Sequence, residues 1–253
     1  MLALKLILVP VLIAALSVVA HRFGPVIAGL LTGFPMVAGP IFLFLVAEHG
    51  AAFGYQAAVG TLVGLTGLAV YALCYSWSSR RCNWAGSLAL GWAAFLLVSL
   101  PLERFQPNLA LACLVALAMP TMAPRLFPAA QPPQMRRALP RSEILLRMLA
   151  AAALVLAITK AATVTGPRLA GLLTPFPVAS SVVTAFSHRL YGPDTAILLL
   201  RGMVVGLYGF VAFFAITAAL LPVTGIVLSA LAGFVAAVAI QGLLYLRAIR
   251  ARK

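Results

Sequence analysis

The stretch GLLTGFP, Gly29 to Pro35, returns as GLLTPFP at Gly171 to Pro177. Each copy ends in Phe-Pro within a long apolar run. There a proline removes a backbone donor and collides with the carbonyl four residues earlier. A displacement of 142 positions brings the two halves of the chain into register without a gap. Gly24, Pro25, Ala28 to Thr32, Phe34 and Pro35 meet identical residues at Gly166, Pro167, Ala170 to Thr174, Phe176 and Pro177. Phe44, Gly50, Gly60, Val63, Gly64, Leu65 and Gly67 meet Phe186, Gly192, Gly202, Val205, Gly206, Leu207 and Gly209, so 16 of 44 positions agree. An ungapped run of that density, with shared Gly-Pro and Phe-Pro, reads as an internal duplication.

The composition says where such a duplication lives. Of 253 residues, 64% are hydrophobic and 9% charged, against about 25% charged in an ordinary soluble domain. Apolar runs recur along the whole chain, many near the roughly 20 residues that a spanning helix requires. The expected class is an all-α polytopic membrane protein. Its net charge of +14 does not point to nucleic acid, because the arginines punctuate the gaps between apolar runs as the positive-inside rule expects. Cys74, Cys82 and Cys113 are widely spaced, which supports neither a disulfide framework nor a metal site. The first apolar run resembles an export leader, but its counterpart in the second half is internal, so it reads as a first transmembrane helix.

About nine spans are expected, five in a first repeat (1–123) and four in a second (143–253), with a basic, Pro-rich cytoplasmic linker at 124–142. An odd number of spans before the second copy turns it upside down, giving two inverted repeats whose second helices are broken by proline. The charges agree. His21-Arg22 and Arg80-Arg81 flank the first copy where the second is poor in charge, whereas His188-Arg189 matches the loop around Glu48. With the N-terminus outside and the C-terminus cytoplasmic, about 13 basic residues fall inside and four outside: Lys5, Arg104, Lys160 and Arg168. The expected location is a bacterial inner membrane.

Interrupted helices at corresponding positions of inverted halves point to a transporter site at the bilayer midplane. The candidate substrate-binding residues are Thr32, Phe34, Pro35, Thr174, Phe176, Pro177, Ser180, Ser181 and Arg201. The plainer role of the hydroxyls is to bond a carbonyl freed by the kink, and Arg201 has the alternatives of snorkelling or pairing with Asp194. Gly60, Gly64 and Gly67, with Gly202, Gly206 and Gly209, lie on one face of their helices and are expected to let helices pack closely. Gln56 and Gln241 are expected at the interface. The four acids, Glu48, Glu103, Glu143 and Asp194, sit at span ends or in loops, which disfavours coupling through a buried carboxylate. No HExxH, paired-Asp or nucleophile-elbow pattern occurs, so neither an enzyme nor a cofactor is expected.

The stretch AGLLTPFPVASSVVTAFSHRLYG, Ala170 to Gly192, resembles the GlpM-like family of small bacterial inner-membrane proteins, each about the length of one half here. The resemblance is best over Glu143 to Lys253 and implies a fused double copy. The arrangement is also similar to the drug/metabolite transporter superfamily, where four-helix proteins and fused inverted-repeat forms coexist. This chain departs from the small multidrug members in lacking a carboxylate in its first helix, which argues against drug–proton exchange. The expected function is a carrier or flippase for a small metabolite or lipid-linked molecule. The alternative is a non-transporting membrane subunit of an envelope or polysaccharide assembly system. The bilayer is the expected partner, nucleic acid is not, and a homodimer is one assembly open to the chain.

Overall fold

The computed structural model describes residues 2–36, 38–102, 104, 107–131, 141–165 and 176–250, and apart from short connections these are helical. Nine α-helices are present among the described residues: α1 (Leu2–Phe23), α2 (Pro25–Thr32), α3 (Ala38–His49), α4 (Ala51–Ser78), α5 (Trp84–Leu102), α6 (Leu109–Met122), α7 (Arg141–Thr165), α8 (Val178–Tyr191) and α9 (Pro193–Arg250). Three of them, α4, α5 and α9, are long and apolar enough to cross a membrane. Together with large exposed side chains such as Leu97, Leu114, Val223 and Val235, they give a multi-pass membrane protein whose outer surface suits hydrocarbon.

The expected second span is interrupted at Phe34-Pro35, whereas Pro10 lies inside an unbroken α1. α2 ends at Thr32, a non-helical turn covers Gly33 to Pro35, and α3 resumes at Ala38. The corresponding region of the second half lies outside the described residues up to Pro175; α8 begins immediately after Phe176-Pro177, with Pro177 as its N-cap. The last two spans differ from expectation at their junction. Helical structure runs through Pro222 and turns at Gly225 (φ 75°, ψ 179°), so α9 is one element with a sharp break. α6 matches the expected fifth helix but has only 14 residues, about 21 Å at 1.5 Å per residue and short of a full ~30 Å crossing. Its start is set by Asn108, whose Oδ1 accepts a 2.9 Å hydrogen bond from the Leu111 amide.

Adjacent helices are joined with almost no loop. Gly50 links α3 to α4 at φ 86° and ψ 175°, and Gly192 links α8 to α9 at φ 88° and ψ 177°. This conformation is closed to residues with a Cβ. Gly24 and Gly225 adopt similar angles.

The centre of the bundle is the crossing of α2 over the first half of α9. A Cβ on Gly29 would run into the Leu199 carbonyl oxygen, and one on Gly33 into that of Met203. Reciprocally, Cβ atoms on Gly202 and Gly206 would collide with the carbonyls of Val26 and Leu30. Four glycines, spaced by four on each helix, let two backbones touch, the small-xxx-small solution for helices that gain nothing from excluding water. Around this crossing, Phe42, Leu62, Leu65, Leu207, Phe213 and Phe214 form the largest buried cluster, and a second gathers Tyr71, Tyr75, Phe95, Ile197 and Met203.

The six expected packing glycines are therefore unlike in their surroundings. Gly202 and Gly206 sit at the crossing, while a Cβ on Gly67 would meet Ser99 and Phe95 and one on Gly209 would meet Gln241 and Ala237. Gly64 is half-buried, and Gly60 is exposed, with open space for 4 Å around the place a methyl group would take. Replacing Gly206 with alanine should therefore cost about 1–3 kcal/mol, whereas Gly60→Ala should be neutral or stabilising by up to ~1 kcal/mol. Thermal unfolding of the two purified variants in the same micelles tests this; equal melting temperatures would be inconsistent with the crossing.

Candidate functional site

The break at Phe34-Pro35 redistributes backbone hydrogen bonds in a traceable order. Pro35 has no N–H to give the Leu31 carbonyl. The Phe34 amide turns to that carbonyl instead, at 3.1 Å, a tightened last turn. The Leu30 carbonyl thereby loses its own helical donor and takes one from a distant helix: Gln241 Nε2, on the second limb of α9, donates to it. Gln241 is 7% exposed, so the expectation that it sits at the interface is corrected. It caps a broken helix in the interior, where an unpaired carbonyl costs about 1–3 kcal/mol.

Beside this cap the break opens a cavity of about 460 Å³, within the range of about 300–1,000 Å³ common for ligand pockets. Phe34, Pro35, Gly39, Leu43, Phe213 and Phe234 form its walls, with Leu12, Met36, Pro40, Ala230 and Leu231 completing the lining. None carries a hydrogen-bonding side chain. Phe34 and Phe234 meet edge-to-face with centroids 5.9 Å apart. Leu231 and Phe234 are also exposed, so the cavity reaches the outer surface beside the second limb of α9.

The other Phe-Pro pair lies in different company. Phe176 packs on Trp92 and Phe95, at centroid distances of 5.4 and 5.5 Å. From Pro177 onward α8 turns a polar face inward: Ser180, Ser181, Thr184, Ser187 and His188 are all buried. Trp92 Nε1 donates to Ser181 Oγ at 2.9 Å, and the Tyr75 hydroxyl and His188 Nδ1 are 3.2 Å apart. The Tyr71 hydroxyl lies beside Ser181 and Ser180 but, like that of Thr184, is buried without closing a hydrogen bond. His188, expected at the membrane edge, is thus part of an interior hydroxyl–aromatic cluster.

Several candidate residues take the plainer of their two roles. Thr32 Oγ1 donates to the Ala28 carbonyl at 2.8 Å, and Ser180 Oγ to the Pro177 carbonyl at 3.2 Å. Thr174 lies outside the described residues. Arg201 is exposed on α9 and does not pair with Asp194, whose carboxylate instead forms an ion pair with Arg80, Oδ1 to Nη1 at 2.9 Å. Arg80 also donates to the Ala129 carbonyl and Trp77 Nε1 to that of Leu126, which ties the end of α4 to the chain that follows α6. The structure brings Phe34 and Pro35 to one cavity and Phe176, Pro177, Ser180 and Ser181 to a separate cluster.

Tyr71, Trp92, Phe213, Phe234 and Gln241 were not among the candidates. A signal for them existed, since the spacing that separates Phe34 from Phe176 also separates Trp92 from Phe234, Tyr71 from Phe213 and Ser99 from Gln241. His, Cys, Asp and Glu form no group of three that could hold a metal among the described residues. In comparison with known proteins, no family model, no curated protein and no solved structure matches this chain.

Gln241→Leu should destabilise the protein by about 1–3 kcal/mol through the uncapped Leu30 carbonyl. Ser99→Ala, which removes a buried hydroxyl already lacking a partner, should cost less. Denaturant unfolding of both variants in mixed micelles gives the comparison, and a Gln241→Leu protein as stable as the parent would rule out the cap.

Proposed function

We propose that the chain is a membrane carrier or flippase of two inverted repeats, and that its cargo is a lipid-linked molecule rather than a small soluble metabolite. The observation that carries this is the cavity at the Phe34-Pro35 break: apolar throughout, large enough for a ligand, and bordered by the exposed Leu231 and Phe234, which on this reading face lipid. A water-soluble metabolite needs convergent polar groups to replace its hydration, and this cavity has none. An acyl or isoprenyl chain needs none, and each buried methylene contributes about 0.8 kcal/mol.

Support for the repeat comes from contacts that recur at one spacing. Phe34 packs on Phe234 as Phe176 packs on Trp92. A Cβ on Gly91 would meet Tyr71 as one on Gly233 would meet Phe213. Gly67 faces Ser99 and Phe95 as Gly209 faces Gln241 and Ala237. Gly50 and Gly192 hold the same backbone angles within a few degrees. Every residue in the second member of each comparison lies 142 positions from its equivalent, in one direction or the other. The proposal includes an outside N-terminus and a cytoplasmic C-terminus, in keeping with the charge bias and with the GlpM-like and drug/metabolite-transporter resemblance.

The non-transporting subunit has one observation in its favour: Thr32 and Ser180 are already bonded to backbone, as in a packed structural helix. Two measurements separate the readings. Single cysteines at Ala52 and Leu190, in a protein lacking the three native cysteines, should react differently with an impermeant thiol reagent in intact cells: Ala52 labelled, Leu190 protected. These positions avoid the positive-φ glycines next to them. In proteoliposomes containing a lipid with a fluorescent headgroup, an impermeant quencher should bleach well beyond the outer-leaflet half, and Gly39→Leu should abolish the excess. A Cβ at Gly39 meets Phe213 at 3.5 Å, an ordinary contact, so the position accepts a side chain at its first atom and the rest of the leucine occupies the cavity. Like labelling at both cysteines, or bleaching that stops at half, would favour the subunit.

A further inference from the structure

At the end of the bundle where α1 finishes and α7 begins, a guanidinium is buried with donors to spare. Arg147 is 1% exposed, although it lies only about two turns from the start of α7. Its Nη1 donates to Ser17 Oγ of α1 at 3.1 Å, and its guanidinium carbon sits 5.5 Å from the centre of the Phe186 ring of α8. Three helices thus hold it in place. Yet Nε and Nη2 have no hydrogen-bond partner. Glu143, one turn back, is 3.9 Å from Nε, close enough for attraction and too far for a hydrogen bond.

The unpaired donors have company. The Tyr191 hydroxyl, within electrostatic reach of both Arg147 and Glu143, is buried without a partner, as is His21 Nδ1. His21 follows Ser17 by one turn on the same face of α1. At the rim, Arg22 and Arg189 are exposed. Buried polar atoms left unpaired are costly, and native proteins keep few. The Arg147 guanidinium of α7 and the Tyr191 hydroxyl of α8 are thus left with donors for a tetrahedral oxyanion, and the His21 imidazole of α1 stands one turn beyond Ser17. A guanidinium offering two neighbouring N–H groups suits a phosphate oxygen pair.

We propose that Arg147, with Tyr191 and His21, is a phosphate-binding site at this membrane face, separate from the Phe34-Pro35 cavity. Its ligand is the phosphate of a lipid headgroup or of a free phosphate compound. Basic pockets between spanning helices at the cytoplasmic face hold anionic headgroups in this way. Glu143 is the occupant that the anion displaces: its carboxylate stands near the guanidinium without bonding it and competes with any phosphate. Arg147 acts here by touching the ligand, and Ser17 positions it.

The test uses the full-length protein in maltoside micelles, whose headgroups carry no anion, with phosphatidylglycerol or inorganic phosphate added as the probe. A saturating probe should raise the melting temperature by on the order of 5–10 °C. Arg147→Gln should abolish the rise, while Glu143→Gln should reach it at lower probe concentration. A response to phosphatidylglycerol alone assigns the site to a lipid headgroup; a response to inorganic phosphate as well assigns it to phosphate in general. If Arg147→Gln does not fold, Glu143→Gln decides, because a purely structural ion pair loses stability without gaining affinity. No response to either probe, or a Glu143→Gln protein that responds no more readily than the parent, overturns the proposal.

Discussion

Two backbones in contact govern this structure. Gly29 and Gly33 of α2 meet Gly202 and Gly206 of α9 so closely that no Cβ fits at any of the four positions. Within a bilayer, helices gain little from hiding apolar surface, because lipid is as apolar as leucine. What remains is dispersion at short range, which falls steeply once a gap opens. The crossing also dictates the break. α2 can lie flat on α9 only for its eight residues, and Pro35 then redirects the chain so that α3 leaves along a different line. The cavity is the space this redirection opens, and Gln241 is the donor that makes it tolerable.

The two Phe-Pro sites occupy matched positions in the sequence but differ in chemistry. Where one has Phe213, Phe234, Gly39 and Phe42, the other has Tyr71, Trp92, Ser181 and Thr184, each pair separated by the same interval. The first set encloses apolar space and the second closes on itself through hydroxyl, indole and imidazole contacts. Similar contacts made by dissimilar side chains are what packing permits when volume is conserved and polarity is not. The polar cluster is held by the Trp92–Ser181 and Tyr75–His188 contacts, while the Tyr71 and Thr184 hydroxyls stay unpaired; the apolar cavity beside the helix interruption has no such contacts. On the carrier reading, the halves have divided the work between anchoring and accommodating.

Much of the fold was legible in the residues because its causes are local. Pro35 removes a helical donor and crowds the preceding carbonyl, and glycines at intervals of four permit a close approach, met at Gly202 and Gly206 and unused at Gly60. The three helices long enough to cross a membrane, α4, α5 and α9, coincide with long apolar runs. What could not be read was which side chain meets which across helices. Gln241 looked interfacial because its helix is apolar and long, and only the freed Leu30 carbonyl explains its burial. Asp194 had Arg201 seven residues along its own helix, yet α4 brings Arg80 closer. Arg147 sat near a span end in a basic run, with no sign that α1 and α8 would cover it. In each case the deciding neighbour is more than a hundred positions away or on an element whose rotation the sequence does not state.

The single-residue joints at Gly24, Gly50, Gly192 and Gly225 bear on how such a molecule can move. A turn of one residue has two torsions and no slack, so each pair of helices it joins is a stiff elbow rather than two rods on a tether. Large relative sliding of α3 against α4, or of α8 against α9, would have to pass through a backbone conformation that only the joint glycine can leave and re-enter. On the carrier reading, rearrangement takes the form of rocking of whole elbows against one another, with the interruption at Gly33 to Pro35 as the compliant point. The molecule is then a small set of plates whose glycine corners keep their angle.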